Sequence, residues 1–288
     1  GGRGGARRSA GGAPRGVGPR RSEARAAGAR GRPWERAPTA FPELVAPRRR
    51  VRDAVRAALR AGDAAAAGRL LGARGDHLAR ALGDWERLDA ARTLPAVERY
   101  RGVVWEALAP ATLSPDARRR LARRVLLPSG LWGVLAARDA VPPYRLTMGA
   151  APPGLGRLAS WWRPMVTDAV ARRAGAGWII DMLPAEHAAA LDPARLGRAR
   201  LLRVEIVEEG EAGTRAIGHA GKSLKGRLAR AILEADARTP AAVAALEVRG
   251  PRRVAVHAPR GGAARVAFAP HGSPPGGGAG GGGVWPPP

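Results

Sequence analysis

The only two lysines of this 288-residue chain, Lys222 and Lys225, lie three residues apart in the segment GKSLKGRLAR, whereas every other basic residue outside histidine is arginine. Arginine carries a planar guanidinium, but lysine carries a compact, titratable amine on a flexible stem. The abundance of Ala, Gly, Pro and Arg is typical of a GC-rich genome, which works against lysine. Together with Arg227 and the free amides of a helix N-terminus, the lysines form a candidate phosphate-binding site. The alternative is a solvated basic first turn.

The residues around the lysines also approximate a nucleotide-binding loop. AIGHAGKS, residues 216–223, fits the pattern G-x-x-x-x-G-K-[ST] except at Ala216. Such a loop follows a buried apolar strand, but EGEAGTR precedes it here. It also needs a later apolar strand that ends in Asp to hold magnesium, and none follows Ser223. Nucleotide hydrolysis by this segment is therefore not favoured.

Two carboxylates are candidates for acid–base chemistry beside the lysines. Asp181 ends the apolar run WIID, and Glu186 follows five residues later. A basic cleft that contains carboxylates and a lysine of shifted pKa suits catalysis on a phosphorylated or nucleic-acid substrate. An enzyme acting on such a substrate is therefore an alternative to a protein that only binds.

Metal and thiol chemistry is not indicated. The chain has no cysteine, which excludes disulfides and thiolate metal sites and fits a reducing compartment. Its histidines are scattered, and no pair has the spacing of metal ligands. We expect no metal and no cofactor.

The net charge of +25 points to a polyanionic partner, most often a nucleic acid. The alternative is a protein whose surface has drifted towards arginine. No apolar run approaches the roughly 18 residues that span a bilayer. We therefore expect a cytoplasmic protein that does not enter a membrane.

Composition divides the chain into three parts. Residues 1–33 are rich in Gly and Arg, and residues 269–288 are rich in Gly and Pro. Neither segment has enough bulky apolar side chains to offset the entropy cost of ordering. We expect both to be disordered tails around one compact domain, residues 34–268.

Within this domain the periodicity predicts helices in the first half and alternating helices and strands in the second, a mixed α/β or α+β fold. Ser114-Pro115 is a strong helix start, and this helix is expected to run to residue 127. Residues 178–181 predict a buried strand, and a hairpin with its turn at residues 209–213 follows. The lysine segment begins another helix, and VRGPRRVAVH predicts a final strand. The apolar face of the lysine helix is expected to contain Leu224, Leu228, Ile232 and Ala235.

Five segments resemble, in order, motifs of the YaaA family of bacterial peroxide-stress proteins. The most specific is LPSGLWGVLAARDAVPPYRLTMG, residues 127–149, which resembles the hallmark S-G-L-[YW]-G-[VL]-L followed by P-Y-R-L-x-M-G. The others are ERYRGVVWEAL, LASWWRPMVTDAV, WIIDMLPAEH and GKSLKGRLARAI. The resemblance covers residues 41–257, and the composition is typical of an actinobacterial, GC-rich member.

The resemblance implies a single compact α/β domain with a positively charged cleft and a helix-hairpin-helix element. It also implies binding of DNA, including distorted duplex, and a role in limiting iron-dependent damage by hydrogen peroxide. We therefore expect a monomeric, cytoplasmic, DNA-binding protein of the oxidative stress response, without a stable protein partner.

Within the hallmark, Ser129, Gly130 and Gly133 form a candidate DNA-binding hairpin, because two glycines between helices let backbone amides approach phosphates. The alternative is a tight structural turn with its tryptophan in the core. Tyr144 and Arg145 combine a hydroxyl with a bidentate donor and are further candidates for phosphate contact. A packed tyrosine and a structural arginine are the alternative.

The chain also departs from the family pattern. The family begins with an apolar strand, whereas GGRGGARRSAGG stands at this start, so we expect that strand to be missing. Pro184 and His187 replace a serine and an aromatic residue, and Ala220 and Gly221 replace an aromatic residue and an asparagine. A truncated, non-functional copy is therefore a third alternative.

Overall fold

The computed structural model describes residues 31–210, 213–216, 221–248, 251–260 and 263–270. The described part combines helices and strands around a buried core, which confirms the predicted mixed fold class. The helices are α1 (Val45–Ala61), α2 (Ala64–Leu71), α3 (Gly75–Glu86), α4 (Ala96–Arg99), α5 (Val103–Leu108), α6 (Pro115–Arg124), α7 (Leu158–Ala174), α8 (Ala185–Ala188), α9 (Gly221–Ala235) and α10 (Pro240–Ala244). The strands are β1 (Leu94–Pro95), β2 (Leu126–Ser129), β3 (Gly133–Ala136), β4 (Ala140–Val141), β5 (Trp178–Asp181), β6 (Arg200–Gly210), β7 (Gly213–Ala216), β8 (Pro251–Arg260) and β9 (Ala263–Pro270).

Helix α1 buries a charged residue, Arg48, beside its apolar stripe. Arg48 Nε donates to the Trp132 carbonyl at 3.0 Å, and Nη2 donates to the Val134 carbonyl at 2.8 Å. Nη1 donates to the Thr39 hydroxyl at 2.7 Å. Burial lowers the pKa of the Arg48 guanidinium to about 10, although the Asp139 carboxylate raises it. These bonds tie α1 to the strands of the hallmark segment.

The glycines of the hallmark connect strands. Residues 126–129 of β2 pair antiparallel with residues 133–136 of β3. The expectation that these glycines lie between two helices is therefore wrong. Helix α6 ends at Arg124, short of the predicted residue 127, because the next residues already enter the β2–β3 ladder. Gly133 has a φ of +69°, and a Cβ there would meet the Trp162 ring at 2.7 Å, so only glycine fits without displacement.

The largest sheet has the strand order β5-β6-β9-β8. Strands β5, β6 and β9 are parallel, and β8 is antiparallel to β9. β6 and β7 form the predicted hairpin, in which Gly210 pairs with Gly213. β8 overlaps the strand predicted at residues 248–257, but it is not the final strand, because β9 follows it. Strand β9 was not predicted from the sequence, although it lies inside the sheet between β6 and β8.

Helix α9 packs against one face of this sheet. Leu224 and Leu228 are buried there with Leu202, Val204 and Ile206 of β6, and Ile232 is partly buried in the same cluster. These three helix residues were predicted for the apolar face. Ala235 was predicted with them and is exposed, because the last turn of α9 instead buries Leu233 in the main core.

At the N-terminal end of the described residues, Gly31 and Arg32 form hydrogen bonds with Thr93. The Gly31 amide donates to the Thr93 carbonyl at 3.0 Å, and the Thr93 hydroxyl donates to the Arg32 carbonyl at 2.7 Å. The other end of β9 reaches Pro270. The rest of the two predicted tails, residues 1–30 and 271–288, lies outside the described residues. Among the helices that the structure describes, none is long and apolar enough to cross a membrane.

Replacement of Gly226 tests the contact between α9 and α5. A Cβ at Gly226 would meet the Val104 carbonyl oxygen at 2.3 Å and the Ala107 Cβ at 2.6 Å, so the helices must separate. We expect Gly226→Ala to lower the free energy of unfolding by about 1–3 kcal/mol. Urea denaturation measures the change. Gly83→Ala is the matched control, because a Cβ at Gly83 in α3 meets mainly the mobile Arg87 side chain, and we expect it to be neutral or stabilising.

Candidate anion-binding site

Charged side chains converge where the parallel strands β5, β6 and β9 approach their carboxyl ends. The register places Asp181 of β5 beside Arg203 of β6, and Arg203 beside Arg265 of β9. Residues paired in this way point to the same face of a sheet. Glu205 lies two residues beyond Arg203 and therefore on that face too. This face is opposite the one on which Leu202 packs against α9.

Asp181 is held in place by two contacts. Its side chain is only 2% exposed, and its Oδ2 forms an ion pair with Arg203 Nη2 at 2.9 Å, although no hydrogen bond to this oxygen is formed within the described residues. Its Oδ1 accepts a hydrogen bond from the Leu183 amide at 2.8 Å, which forms the turn after β5. A buried carboxylate requires such compensation. Asp181 therefore positions both the turn and the Arg203 guanidinium.

Lys225 reaches this turn from α9. Its Nζ donates to the Met182 carbonyl at 3.0 Å, and the side chain is partly buried. Burial lowers the pKa of the Lys225 ammonium below its ordinary 10.5. The Asp181 carboxylate opposes this shift, the Arg203 guanidinium adds to it, and Glu205 opposes it more weakly. The amine thus lies within the electrostatic field of the strand-end charges.

The cluster opens to solvent at its far end. Arg265 Nη1 lies 3.8 Å from Glu205 Oε1, and the Arg265 side chain is 58% exposed. Lys222 lies three residues before Lys225, so the two lysines share one side of α9. Lys225, Arg203 and Arg265 outnumber the two carboxylates by one positive charge. We call these five residues, Asp181, Arg203, Glu205, Lys225 and Arg265, the strand-end cluster.

Arg227 and Glu186 were also predicted for this site, but no contact described for them involves the strand-end cluster. Arg227 is partly buried, and its Nε has no hydrogen-bond partner within the described residues. Glu186 of α8 accepts a hydrogen bond from the Gly149 amide at 2.6 Å. The described contacts of Asp181 and Glu186 are to different partners. Their pairing as acid and base stays a prediction. Burial lowers the pKa of the neighbouring His187 imidazole.

Ser129 and Tyr144 belong to a buried network of hydroxyl groups. The Tyr144 hydroxyl lies 2.6 Å from the Ser129 hydroxyl and 2.6 Å from the Tyr100 hydroxyl. Ser129 Oγ also accepts a hydrogen bond from the Trp132 amide at 3.1 Å. All four residues are buried. The geometry therefore favours the structural alternative for Ser129 and Tyr144 over direct contact with a phosphate.

Gly130, Gly133 and Arg145 have structural contacts as well. A Cβ at Gly130 would meet the Thr147 carbonyl oxygen at 2.5 Å, and Gly133 lies against Trp162. Arg145 Nε donates to the Leu71 carbonyl at 3.1 Å, and its Nη2 donates to the Gly72 carbonyl at 2.9 Å, at the end of α2. The structure thus separates the predicted phosphate contacts into a packed hallmark group and a group on α9 beside the strand ends.

Arg203, Glu205 and Arg265 were not predicted as site residues from the sequence. The alternation in LLRVEIV, where Arg203 and Glu205 are separated by one apolar residue, was the signal that places both on one face of a strand. Arg265 lies in β9, which was not predicted as a strand. In the part of the chain that the structure describes, no group of three His, Asp or Glu side chains is arranged to hold a metal ion.

The fold and the strand-end cluster define a mixed helix-and-strand protein with a partly buried cationic site. The family model described as "Peroxide stress protein YaaA" matches residues 37–252. A UPF0246 protein of Streptomyces coelicolor is 37% identical over 213 residues, which are 74% of this chain and 80% of that protein. A UPF0246 protein of Corynebacterium glutamicum is 30% identical over 227 residues, 76% of this chain and 85% of that protein. The chain therefore belongs to the YaaA family of peroxide stress proteins.

Another relative matches over a shorter stretch. A UPF0246 protein of a Ruegeria species is 34% identical over 140 residues, which cover 47% of this chain and 56% of that protein. Family membership confirms the resemblance seen in the hallmark and links this protein to peroxide stress.

Tyr144→Phe tests the structural role of the hydroxyl network. The change removes the partner that Ser129 and Tyr100 share, so we expect the free energy of unfolding to fall by about 1–3 kcal/mol. Any affinity for DNA, measured under conditions where the variant is folded, should not change. Tyr100→Phe is the control, because it removes one of the two hydroxyl contacts and should cost less. A loss of DNA affinity without a loss of stability would restore Tyr144 as a phosphate contact.

A titration tests the environment of Lys225. In a Lys222→Arg variant, Lys225 is the only lysine, and its resonance can be followed by NMR after ¹³C-dimethylation. We expect its midpoint in the folded protein to lie below that in urea. The cost of burying the ammonium is present below the folded pKa and disappears as the pH rises from that value towards 10.5, so Lys225 should favour the folded state increasingly in this window. Equal titration midpoints in the folded protein and in urea would contradict the lowered pKa of the Lys225 ammonium.

Proposed function

We propose that this protein acts in the cytoplasm during peroxide stress by binding DNA through its cationic surface and so limits iron-dependent oxidative damage. The observation that supports this most directly is the strand-end cluster, where Lys225 of α9 lies within the field of Arg203 of β6, and Arg265 of β9 pairs beside Arg203. Three cations from separate elements present a charged surface wider than a single helix end. A phosphate backbone offers a matching row of negative charges.

Exposed arginines elsewhere extend the cationic surface. Arg173 Nη2 donates to the Arg123 backbone carbonyl at 2.8 Å, which brings the last turns of α6 and α7 together. Neither side chain is paired with a carboxylate within the described residues, and both are exposed. Contacts of this kind hold the DNA backbone without reading its sequence.

Backbone binding also offers a physical route to protection. A protein that neutralises phosphates releases the cations condensed on them. Ferrous iron held on DNA is among the cations that would be displaced, and peroxide would then react with iron farther from the bases and sugars. This explanation needs no iron site on the protein itself.

An enzyme that acts on a phosphorylated or nucleic-acid substrate at the same cluster is the second candidate. The observation that favours it is the partly buried Lys225 amine beside a buried carboxylate, because amines with lowered pKa values are common in catalytic sites. The two functions differ in a measurable way. A small substrate would saturate the site, with little dependence on DNA length.

DNA binding by the full chain and by residues 31–270 across a salt series tests the proposal. We expect the affinity of both for duplex DNA to fall steeply with salt. The double variant Lys222→Ala/Lys225→Ala should bind more weakly, and its log–log slope should be shallower by about 1 for each phosphate that the variant no longer neutralises. Duplexes with a bulge, measured alongside, show whether distorted DNA is preferred.

The matched control removes the same charge elsewhere. Arg60→Ala/Arg80→Ala takes two exposed cations from α1 and α3 and should weaken binding less than the lysine pair does. Equal losses of DNA affinity for the two double variants would show that only the net charge matters and would contradict a particular role for the lysine pair. If residues 31–270 do not bind DNA at all, the proposal is wrong and binding by the full chain belongs to the terminal arginines.

A further inference from the structure

The Lys225 amine has the surroundings of a nucleophile. Its Nζ is held by one backbone acceptor, the Met182 carbonyl, at 3.0 Å, and the side chain is partly withdrawn from water. Burial lowers the pKa of the Lys225 ammonium; the Asp181 carboxylate opposes this shift, and the Arg203 guanidinium, which lies 2.9 Å from Asp181 Oδ2, adds to it. Asp181 Oδ1 accepts a hydrogen bond from the Leu183 amide at 2.8 Å, so both oxygens of this carboxylate lie against groups other than the Lys225 amine.

An amine in such a site reacts with carbonyl carbons. Lysines that are desolvated or lie near another cation form imines with aldehydes and ketones. Imine formation is therefore the chemistry that we consider for Lys225.

The neighbouring charges restrict the carbonyl compound. Arg265 is 58% exposed at the open end of the cluster, and Lys222 lies one helical turn before Lys225. These cations favour an aldehyde that carries phosphates on either side. In DNA, the sugar of an abasic site has this chemistry, because its ring-opened form has an aldehyde at C1′ between two phosphodiesters.

We propose that Lys225 forms an imine with the C1′ aldehyde of abasic sites in DNA. This inference rests on the proposed function, because it supplies a substrate class for the same DNA-binding surface. Loss of bases is an expected product of oxidative attack on DNA, so the substrate fits a protein linked to peroxide stress.

The reaction is balanced without a further reactant. Lys225 Nζ, after loss of a proton, attacks C1′ and forms the carbon–nitrogen bond, while the carbonyl π electrons move to oxygen. The carbinolamine then loses water. Overall, the ammonium and the aldehyde give a protonated imine and one water, which carries away the carbonyl oxygen and two ammonium hydrogens. No electron is gained or lost.

Borohydride trapping with the full chain tests this step. The protein is mixed with a duplex that contains one abasic aldehyde, and sodium borohydride reduces any imine to a stable secondary amine that is seen as a covalent complex on a denaturing gel. We expect a complex with this duplex. An intact duplex, and a duplex whose abasic sugar lacks the aldehyde, should give none.

The lysine content of the chain makes the position of the adduct decisive. Only Lys222, Lys225 and the terminal amine are primary amines here, so peptide mass spectrometry of the trapped wild-type complex identifies the nucleophile even if a variant fails to fold. We expect the adduct on Lys225. Lys225→Arg should lower the trapped yield at least tenfold, whereas Gly83→Ala in α3, which lies outside the strand-end cluster, should trap normally.

The outcomes separate this inference from the proposed function. Binding of intact duplex without trapping overturns the imine and leaves DNA binding standing. An adduct on Lys222 or on the terminal amine also overturns it. Trapping at Lys225 with no measurable affinity for intact duplex supports the chemistry and shows that the protein recognises the damaged sugar rather than duplex DNA.

Discussion

The burial of Arg48 is the constraint on which the hallmark region depends. A guanidinium enclosed by protein must direct its donors to fixed acceptors, and here these are the carbonyls of Trp132 and Val134 and the Thr39 hydroxyl. Its pKa, lowered to about 10 by burial, records the cost of this position. Because two of the acceptors are backbone atoms of the β2–β3 hairpin, α1 can pack only if that hairpin has its observed shape.

Many arginines of this chain have a similar structural use. Arg145 donates to two carbonyls at the end of α2, and Arg230 donates to the carbonyls of Leu108 and Ala109 at the end of α5. Arg120 donates to the Leu233 carbonyl of α9. Cations at helix C-termini also favour the helix dipole. The net charge therefore overstates the charge available to a polyanion, and the exposed arginines and the strand-end cluster are the relevant part.

The hallmark segment and the strand-end cluster lie in two different parts of the molecule. The hallmark segment holds the core together through buried hydroxyls, close glycine contacts and the Arg48 acceptors, whereas the lysines of α9 meet Asp181 and Arg203 at the strand ends. Gly226 lets α9 approach α5 closely, and the same helix α9 carries Lys225 to the turn after β5. The family motifs thus combine residues that maintain the fold with residues that contribute to the strand-end cluster.

The sequence by itself determined the features that depend on neighbouring residues. The cap at Ser114, the strand that ends in Asp181, the hairpin at Gly210 and the apolar stripe of α9 follow from local hydrogen bonding and periodicity, and the two lysines stood out by residue type. The tertiary structure decided the rest. The insertion of β9 between β6 and β8, the burial of Arg48 against residues more than 80 positions away, and the meeting of Lys225 with Arg203 depend on long-range packing, which no local pattern encodes.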